Sequence, residues 1–319
     1  MYFKFTPIFI MFFLFQTELS FGQSRKFISQ FSHFQSYYNP ALSGYEGTSI
    51  RGFVRNQWAG LDGAPKTFQA SAELDFAQLS ELPDPALLGK NAVSFNILHD
   101  QYGPYKDNEL ILAYASRIRL NEKSNLRLGA GINFNSVELN GNYLTSDMVN
   151  DPKLAPFQSR FSHMRILDFN LGIAYTNENF YASYAVHNVN IGNLRFGEVF
   201  MEDKAPVNIL MAGYREAVSP SLAIAANLMY RAQADLPNNL EMNVKLLFAE
   251  TLWFGMGHRA TYTNNFQLGF VLPQFRFGYS YELPMNRAFL LPNTTHEFTL
   301  FYSVFGKRRL RGNERIMIW

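Results

Sequence analysis

The chain contains no cysteine in its 319 residues. That excludes a disulfide framework, thiolate zinc sites, a cysteine nucleophile and lipid attachment through an N-terminal cysteine. Charge is also scarce: 17% of residues are charged and 16% are aromatic, whereas a typical soluble domain is about 25% charged. Intrinsic disorder needs the opposite balance and is excluded. Neither sign dominates, because 28 Lys and Arg against 26 Asp and Glu leave only +2. Such a chain has no general attraction for polyanions, so nucleic acid is not an expected partner. Beyond the first 22 residues no apolar run approaches the ~18 residues of a transmembrane helix. What the chain has in abundance is 31 Phe and 17 Tyr.

The first 22 residues read as a secretory signal peptide. Lys4 precedes an apolar stretch from Phe5 to Phe15, and Ser20-Phe21-Gly22 supplies small residues at −3 and −1. The stretch is too short to serve as a membrane anchor, since a bilayer takes about 20 mostly apolar residues. Cleavage after Gly22 removes one Lys and one Glu, so the mature chain from Gln23 keeps +2.

From residue 47 to residue 305 the dominant signal is alternation at period two. Phe68, Ala70, Ala72, Leu74 and Phe76 share one face, opposite Gln69, Ser71, Glu73 and Asp75. Leu240, Met242, Val244, Leu246 and Phe248 oppose Glu241, Asn243 and Lys245 in the same way. Fourteen strands are expected, near 47–58, 67–77, 91–100, 108–120, 125–139, 165–176, 179–190, 207–217, 220–232, 239–249, 251–260, 265–272, 274–283 and 295–305. Short connections, such as 121–124, 177–178 and 218–219, alternate with long ones at 140–164, 191–206 and 284–294. That is the pattern of an outer-membrane barrel with tight periplasmic turns and larger external loops. The connection 78–90 is long where a short one is expected, and could hide a further strand.

A secreted β-sandwich also alternates, but rarely needs fourteen strands of ten residues. The strand from Glu297 to Phe305 ends in an aromatic and resembles the signal read by outer-membrane insertion machinery. The expected fold is therefore all-β, a transmembrane antiparallel β-barrel of about 14 strands in the outer membrane. Its divisions are a signal peptide (1–22), an N-terminal periplasmic segment or lumen plug (23–46), the barrel (47–305) and a basic C-terminal tail (306–319). Both termini are expected in the periplasm, and outer-membrane lipid is the expected surrounding of the aromatics.

Residues 38–67 carry a recognisable text. Tyr38-Asn39-Pro40-Ala41-Leu42-Ser43-Gly44 is followed by Arg55-Asn56-Gln57-Trp58-Ala59-Gly60 and Gly63-Ala64-Pro65-Lys66-Thr67, and the recognisable text ends at His296-Glu297-Phe298. This ordered combination resembles the PorP/SprF family, outer-membrane proteins of the type IX secretion and gliding apparatus of Bacteroidetes. The resemblance implies a non-enzymatic barrel without cofactors. It also implies partners: ring and motor components of the secretion apparatus, a periplasmic lipoprotein or peptidoglycan-associated protein, or the C-terminal domain of a secreted adhesin displayed on the cell surface. On this reading Tyr38, Asn39, Pro40, Gly44, Arg55, Gln57, Trp58, Gly60, Pro65, Thr67, His296 and Glu297 are the candidate motif and partner-contact residues. They equally suit a plainer role in shaping a turn and starting the barrel. Trp58 and Phe68 flank the first external loop, where both would join the outer aromatic belt.

Catalytic and metal signals are weak. Gly255-x-Gly257-x-x-Ala260 lacks the strand–turn–helix setting of a dinucleotide site and reads as small lumen-facing residues. His99-Asp100 is the best pair for a barrel hydrolase. Asp147, Asn150 and Asp151 could bind calcium but suit a solvated loop. The tail carries Lys307, Arg308, Arg309, Arg311 and Arg315 against Glu314, hence +4, leaving −2 for the rest of the mature chain. It is a solvated end or a contact for an acidic partner or anionic lipid. The principal rival function is an outer-membrane transport barrel for a small hydrophobic ligand or solute.

Overall fold

A computed structural model describes residues 26–79, 91–121, 123–144, 155–200, 204–234, 236–285 and 294–305. The signal segment, residues 80–90 of the doubtful connection, Asp147, Asn150, Asp151 and the basic tail lie outside the described residues.

The alternating segments form β1 (Ser49–Asn56), β2 (Lys66–Asp75), β3 (Asn91–Tyr102), β4 (Tyr105–Arg119), β5 (Asn125–Asn140), β6 (Phe161–Thr176), β7 (Phe180–His187) and a short β8 (Leu194–Gly197). They continue as β9 (Val207–Ser219), β10 (Leu222–Gln233), β11 (Leu236–Phe248), β12 (Leu252–Arg259), β13 (Thr263–Val271), β14 (Phe275–Pro284) and β15 (Thr295–Ser303). Each pairs antiparallel with its neighbour, β7 pairing with β9, and β1 closes onto β15 from Ser49↔Ser303 to Asn56↔His296. The result is a closed fourteen-stranded barrel, with β8 an addition on its wall.

Period-two alternation sorts the side chains by solvent. On β5, Leu126, Leu128, Ala130, Ile132 and Phe134 point outward, while Asn125, Arg127, Asn133 and Asn135 are buried inside. On β2 the exposed face carries Phe68, and the buried face carries Thr67, Gln69, Ser71, Glu73 and Asp75. A belt of exposed Leu, Ile and Phe surrounds the whole wall, which water would not tolerate on one molecule but a bilayer requires. The eight steps from Leu126 to Phe134, at about 3.3 Å each and tilted about 40°, rise roughly 20 Å, close to the height of such a band. Closure leaves no unpaired strand edge in the band, so the backbone polar groups are satisfied between strands.

The barrel has two unlike ends. Tight connections at 120–124, 177–179, 220–221, 249–251 and 272–274 lie at the end where β1 starts and β15 finishes. Apart from 76–90, which follows β2 at the tight-turn end, the long connections lie at the opposite, loop end. Two elements there depart from expectation. Strands β3 and β4 run to Tyr102 and from Tyr105, joined by only Gly103 and Pro104, because Gly103 at φ +51 permits a two-residue hairpin turn.

The expected continuous strand 179–190 instead stops at His187, and the chain resumes pairing with β6 as β8. Between them Asn188 and Ile191 adopt φ 56 and Gly192 φ +66. The cause is the buried Asp168 on β6, whose carboxylate accepts Asn190 N at 2.8 Å and Gly192 N at 2.6 Å. These bonds hold the turn against the inner wall. Asp168→Ala is expected to release it at a cost of about 1–3 kcal/mol, the loss for donors left unpaired. Hydrogen exchange in 188–197 should quicken while β13–β15 stay protected; unchanged exchange in 188–197 would refute the assignment.

Candidate functional site

The lumen is occupied by the chain's own residues 26–48. No period appears in this stretch because it is built from single turns: a 3-10 turn at Phe31–His33, an α-turn at Gln35–Tyr38 and another 3-10 turn at Pro40–Leu42. Asn39 caps the last of these, its side chain accepting Ala41 N at 2.9 Å, with Pro40 at the first helical position where no N–H is needed. Ile28, Phe31, Phe34, Tyr38, Ala41, Leu42 and Tyr45 are almost fully buried against inward Phe53, Leu98, Ile111, Tyr181, Met211 and Met229. A small apolar core thus sits inside the barrel, where soluble-protein packing rules apply.

The Asn39-Pro40-Ala41 turn enters a notch in the wall. Gly129 on β5 and Gly172 on β6 face each other in register. A Cβ at Gly129 would lie 2.2 Å from Ala41 N, and one at Gly172 2.0 Å from Asn39 Oδ1, so only glycine allows this approach. Asn39 Nδ2 donates to Ile173 O (3.3 Å) and Tyr184 O (3.1 Å), and His187 Nε2 donates to Tyr38 O (2.9 Å). Arg127 donates from Nε to Ala41 O at 2.7 Å and from its terminal nitrogen to Ser43 O.

Charged groups of the wall hold the rest. Arg55 on β1 pairs with Glu282 on β14 at 2.6 Å and with Glu297 on β15 at 3.2 Å, and donates to Ser29 Oγ at 2.7 Å. Arg55 and Glu297 are direct partners across the strands that close the barrel. Glu297 also accepts Ser29 N (2.8 Å) and Gln30 N (3.0 Å), so the plug is tied to the seam itself. Glu73 takes Ser36 Oγ, Gly44 N and Arg51. Glu109 takes Tyr37 Oη (2.9 Å), Asn133 Nδ2 (2.7 Å) and Lys26 Nζ (3.3 Å). Buried charges are costly unless paired and hydrogen-bonded; here each carboxylate meets cations or plug donors.

The plug runs the full length of the lumen. At the loop end, Lys26 Nζ pairs with Asp107 at 2.8 Å and Lys26 O accepts from Arg231 at 2.9 Å. Burial opposes the Lys26 ammonium, but the Asp107 and Glu109 carboxylates outweigh it and hold its pKa well above the ordinary lysine value. At the other end, Tyr45 Oη donates to Asn177 O in a short turn, and Glu46 pairs with Arg215 at 3.2 Å. The first described residue and the end of the last described strand therefore sit at opposite mouths.

The candidate residues divide into three groups. Tyr38, Asn39, Pro40, Gly44, Arg55, Thr67 and Glu297 are buried in the lumen; Thr67 Oγ1 donates to Asp100 at 2.7 Å. Gly44 takes φ +67, and a Cβ there would lie 2.6 Å from Ala92 Cβ. Gln57, Trp58, Gly60 and Pro65 belong to the β1–β2 loop, closed by Gln57 N donating to Pro65 O at 3.0 Å. Trp58 occupies a left-handed position, φ 51, in that loop, while Phe68 projects from β2 on the outer face. His296 lies on the outer wall, bonded to Tyr279 Oη at 2.7 Å, on the face opposite Glu297. The twelve residues do not form one site.

Ser29, Gln30, Arg51, Glu73, Glu109, Arg127, Glu282, Gly129 and Gly172 hold the plug but were not among the candidate residues of the sequence. One local signal was available: where inward positions such as Leu98, Ile111 and Met211 turn apolar, the polar alternation fails, and that is where the plug packs. His99 and Asp100 point to opposite faces, His99 bonding Asn108 outside and Asp100 bonding Thr67 inside, so they form no pair. Gly255 and Gly257 point inward. Among the described residues no group of three His, Asp or Glu is placed to hold a metal ion.

Against known proteins, the family model described as "Type IX secretion system membrane protein PorP/SprF" matches residues 20–302. No curated protein matches the sequence. Among solved structures, the Pseudomonas putida toluene transporter TodX superposes with a TM-score of 0.48 at 8% identity, over 83% of this chain and 92% of that one. The Ralstonia pickettii toluene transporter TbuX gives 0.46 at 9% identity, over 83% and 91%. A Pseudomonas aeruginosa FadL homologue gives 0.45 at 10%, over 84% and 93%. At such identities and scores the likeness says nothing of what this chain binds.

Proposed function

The chain belongs to the PorP/SprF family of type IX secretion membrane proteins, and from that premise we propose that it is a non-enzymatic structural barrel of the type IX secretion and gliding apparatus. It either supports assembly of the envelope-spanning machine or anchors a secreted adhesin, through the adhesin's C-terminal domain, for display at the cell surface. The observation that carries this reading is the filled lumen. Residues 26–48 occupy the barrel from mouth to mouth, held by ion pairs of Lys26 and Glu46 near its two ends and by hydrogen bonds to buried charges of the wall between them. A barrel so filled offers partners its two mouths and loops rather than a conduit.

The long loops face outward, and the tight turns with the end of β15 face the periplasm. On that side lie the ring and motor components, or a periplasmic lipoprotein or peptidoglycan-associated partner. Enzymatic activity has no support from His99 and Asp100, which point apart.

Deleting the gene is expected to abolish secretion or surface display of type IX cargo, with recovery on return of the intact gene. Purified wild-type barrel should show no steady conductance in planar bilayers. Unimpaired secretion together with a steady open conductance would replace this reading by solute transport. Crosslinking in intact cells separates the two roles, recovering apparatus components in one case and a surface adhesin in the other.

A further inference from the structure

We infer that the mature amino terminus emerges at the loop mouth, on the opposite side of the membrane from the carboxy-terminal end of the barrel. The inference rests on removal of residues 1–22 and on the outward orientation proposed for the loops. It departs from the sequence expectation that both termini lie in the periplasm.

The direction of the plug is read from what each of its ends touches. The chain leaves the plug into β1 at Ser49, beside the short turns, where Thr48 N donates to Gln78 Oε1 at 2.6 Å and Tyr45 reaches Asn177. Going back toward the N terminus, Ser36 and Gly44 bind Glu73, Ser29 binds Glu282 and Glu297, and Lys26 binds Asp107. Phe27 packs on Tyr262, in the β12–β13 connection at the loop end, with a ring distance of 5.5 Å. The Arg259 guanidinium lies 4.2 Å from the Phe27 ring and that of Arg231 5.1 Å. Arg259 is the last residue of β12, and Arg231 stands two residues before the end of β10. Lys26 and Phe27 are therefore fastened at the rim that carries the loops.

Only Gln23, Ser24 and Arg25 precede them in the processed chain. Three extended residues reach about 10 Å, less than half the ~25 Å height of the apolar band. They cannot carry the terminus back through a lumen already filled by the plug.

The absence of native cysteine makes the test direct. Three single-cysteine variants, Ser24→Cys, Asp62→Cys in the β1–β2 loop and Lys123→Cys in a short turn, are expressed in the natural host and exposed to a membrane-impermeant maleimide. Ser24→Cys and Asp62→Cys should label on intact cells, and Lys123→Cys only after the outer membrane is permeabilised. Labelling of Ser24→Cys only together with Lys123→Cys, or only after unfolding, would overturn the inference. If Asp62→Cys and Lys123→Cys exchange behaviour while Ser24→Cys still follows Asp62→Cys, the proposed orientation fails and the threading stands. N-terminal sequencing of the wild-type chain should begin at Gln23; a chain beginning at Met1 would refute the inference, because 25 residues could return through the membrane.

Discussion

Arg55→Met is expected to loosen the plug and the barrel seam together, at a cost of about 3–5 kcal/mol, the range for breaking a buried ion pair by removing one partner. The guanidinium stands between Glu282 and Glu297 and bonds Ser29 of the plug. Without it Glu282 keeps Arg259 at 3.3 Å, but Glu297, buried in the lumen, loses its ion-pair partner and keeps the Ser29 and Gln30 amides as its hydrogen-bond donors among the described residues. Two neighbouring carboxylates then repel where β1, β14 and β15 meet. In gels run without boiling, the temperature at which the compact barrel converts to the slow unfolded form should fall, and exchange in residues 28–45 should rise. Arg55→Lys keeps the charge without the fork that spans both carboxylates, so it should fall between Met and wild type. An unchanged conversion temperature for Arg55→Met would show that the seam does not depend on this residue.

Gly129→Val should empty the lumen while leaving the wall standing. Its Cβ would meet Ala41 N at 2.2 Å and the carbonyl carbon of Pro40 at 2.3 Å. Both are backbone atoms held by Arg127 and Asn39, and they cannot turn aside as a side-chain tip does. Gly172→Val presses on Asn39 Oδ1, with Pro40 Cδ behind it at 3.1 Å. The β4–β5 and β5–β6 ladders are untouched, since an added side chain leaves the strand hydrogen bonds in place. The expected result is a barrel that still inserts but conducts steadily in planar bilayers. Gly131→Ala is the control: the nearest atoms to its Cβ belong to the wall, Ala113 Cβ at 3.2 Å and Leu112 O at 3.4 Å, and not to the plug, so a silent channel is expected. A silent Gly129→Val channel with an intact plug would remove the notch from the account.

The strands were legible because their cause is local. Alternation of Leu126, Leu128 and Ile132 with Arg127, Asn133 and Asn135 records lipid on one side and lumen on the other, residue by residue. The number of barrel strands follows from that record. The interruption at Asn188–Asn193 was not legible, because it depends on Asp168 twenty residues earlier on the facing strand. The plug was harder still. Residues 26–48 have no period, and the two carboxylates that bind Ser29, Glu282 and Glu297, stand more than 250 positions away.

Arg55 and Glu297 show where the boundary lies. Each belonged to a recognisable motif, one near the start of the barrel and one near its end, but nothing in either stretch reveals that they meet. They become neighbours only when β1 closes onto β15. The sequence by itself determined a membrane barrel with apolar outer and polar inner faces, because a period-two pattern needs no knowledge of distant residues. Only the tertiary structure decided that the polar interior is a seat for the chain's own N-terminal segment and in which direction that segment runs. Buried charges can be satisfied only by the partners that closure brings to them, and pairing across a lumen leaves no local trace in the chain.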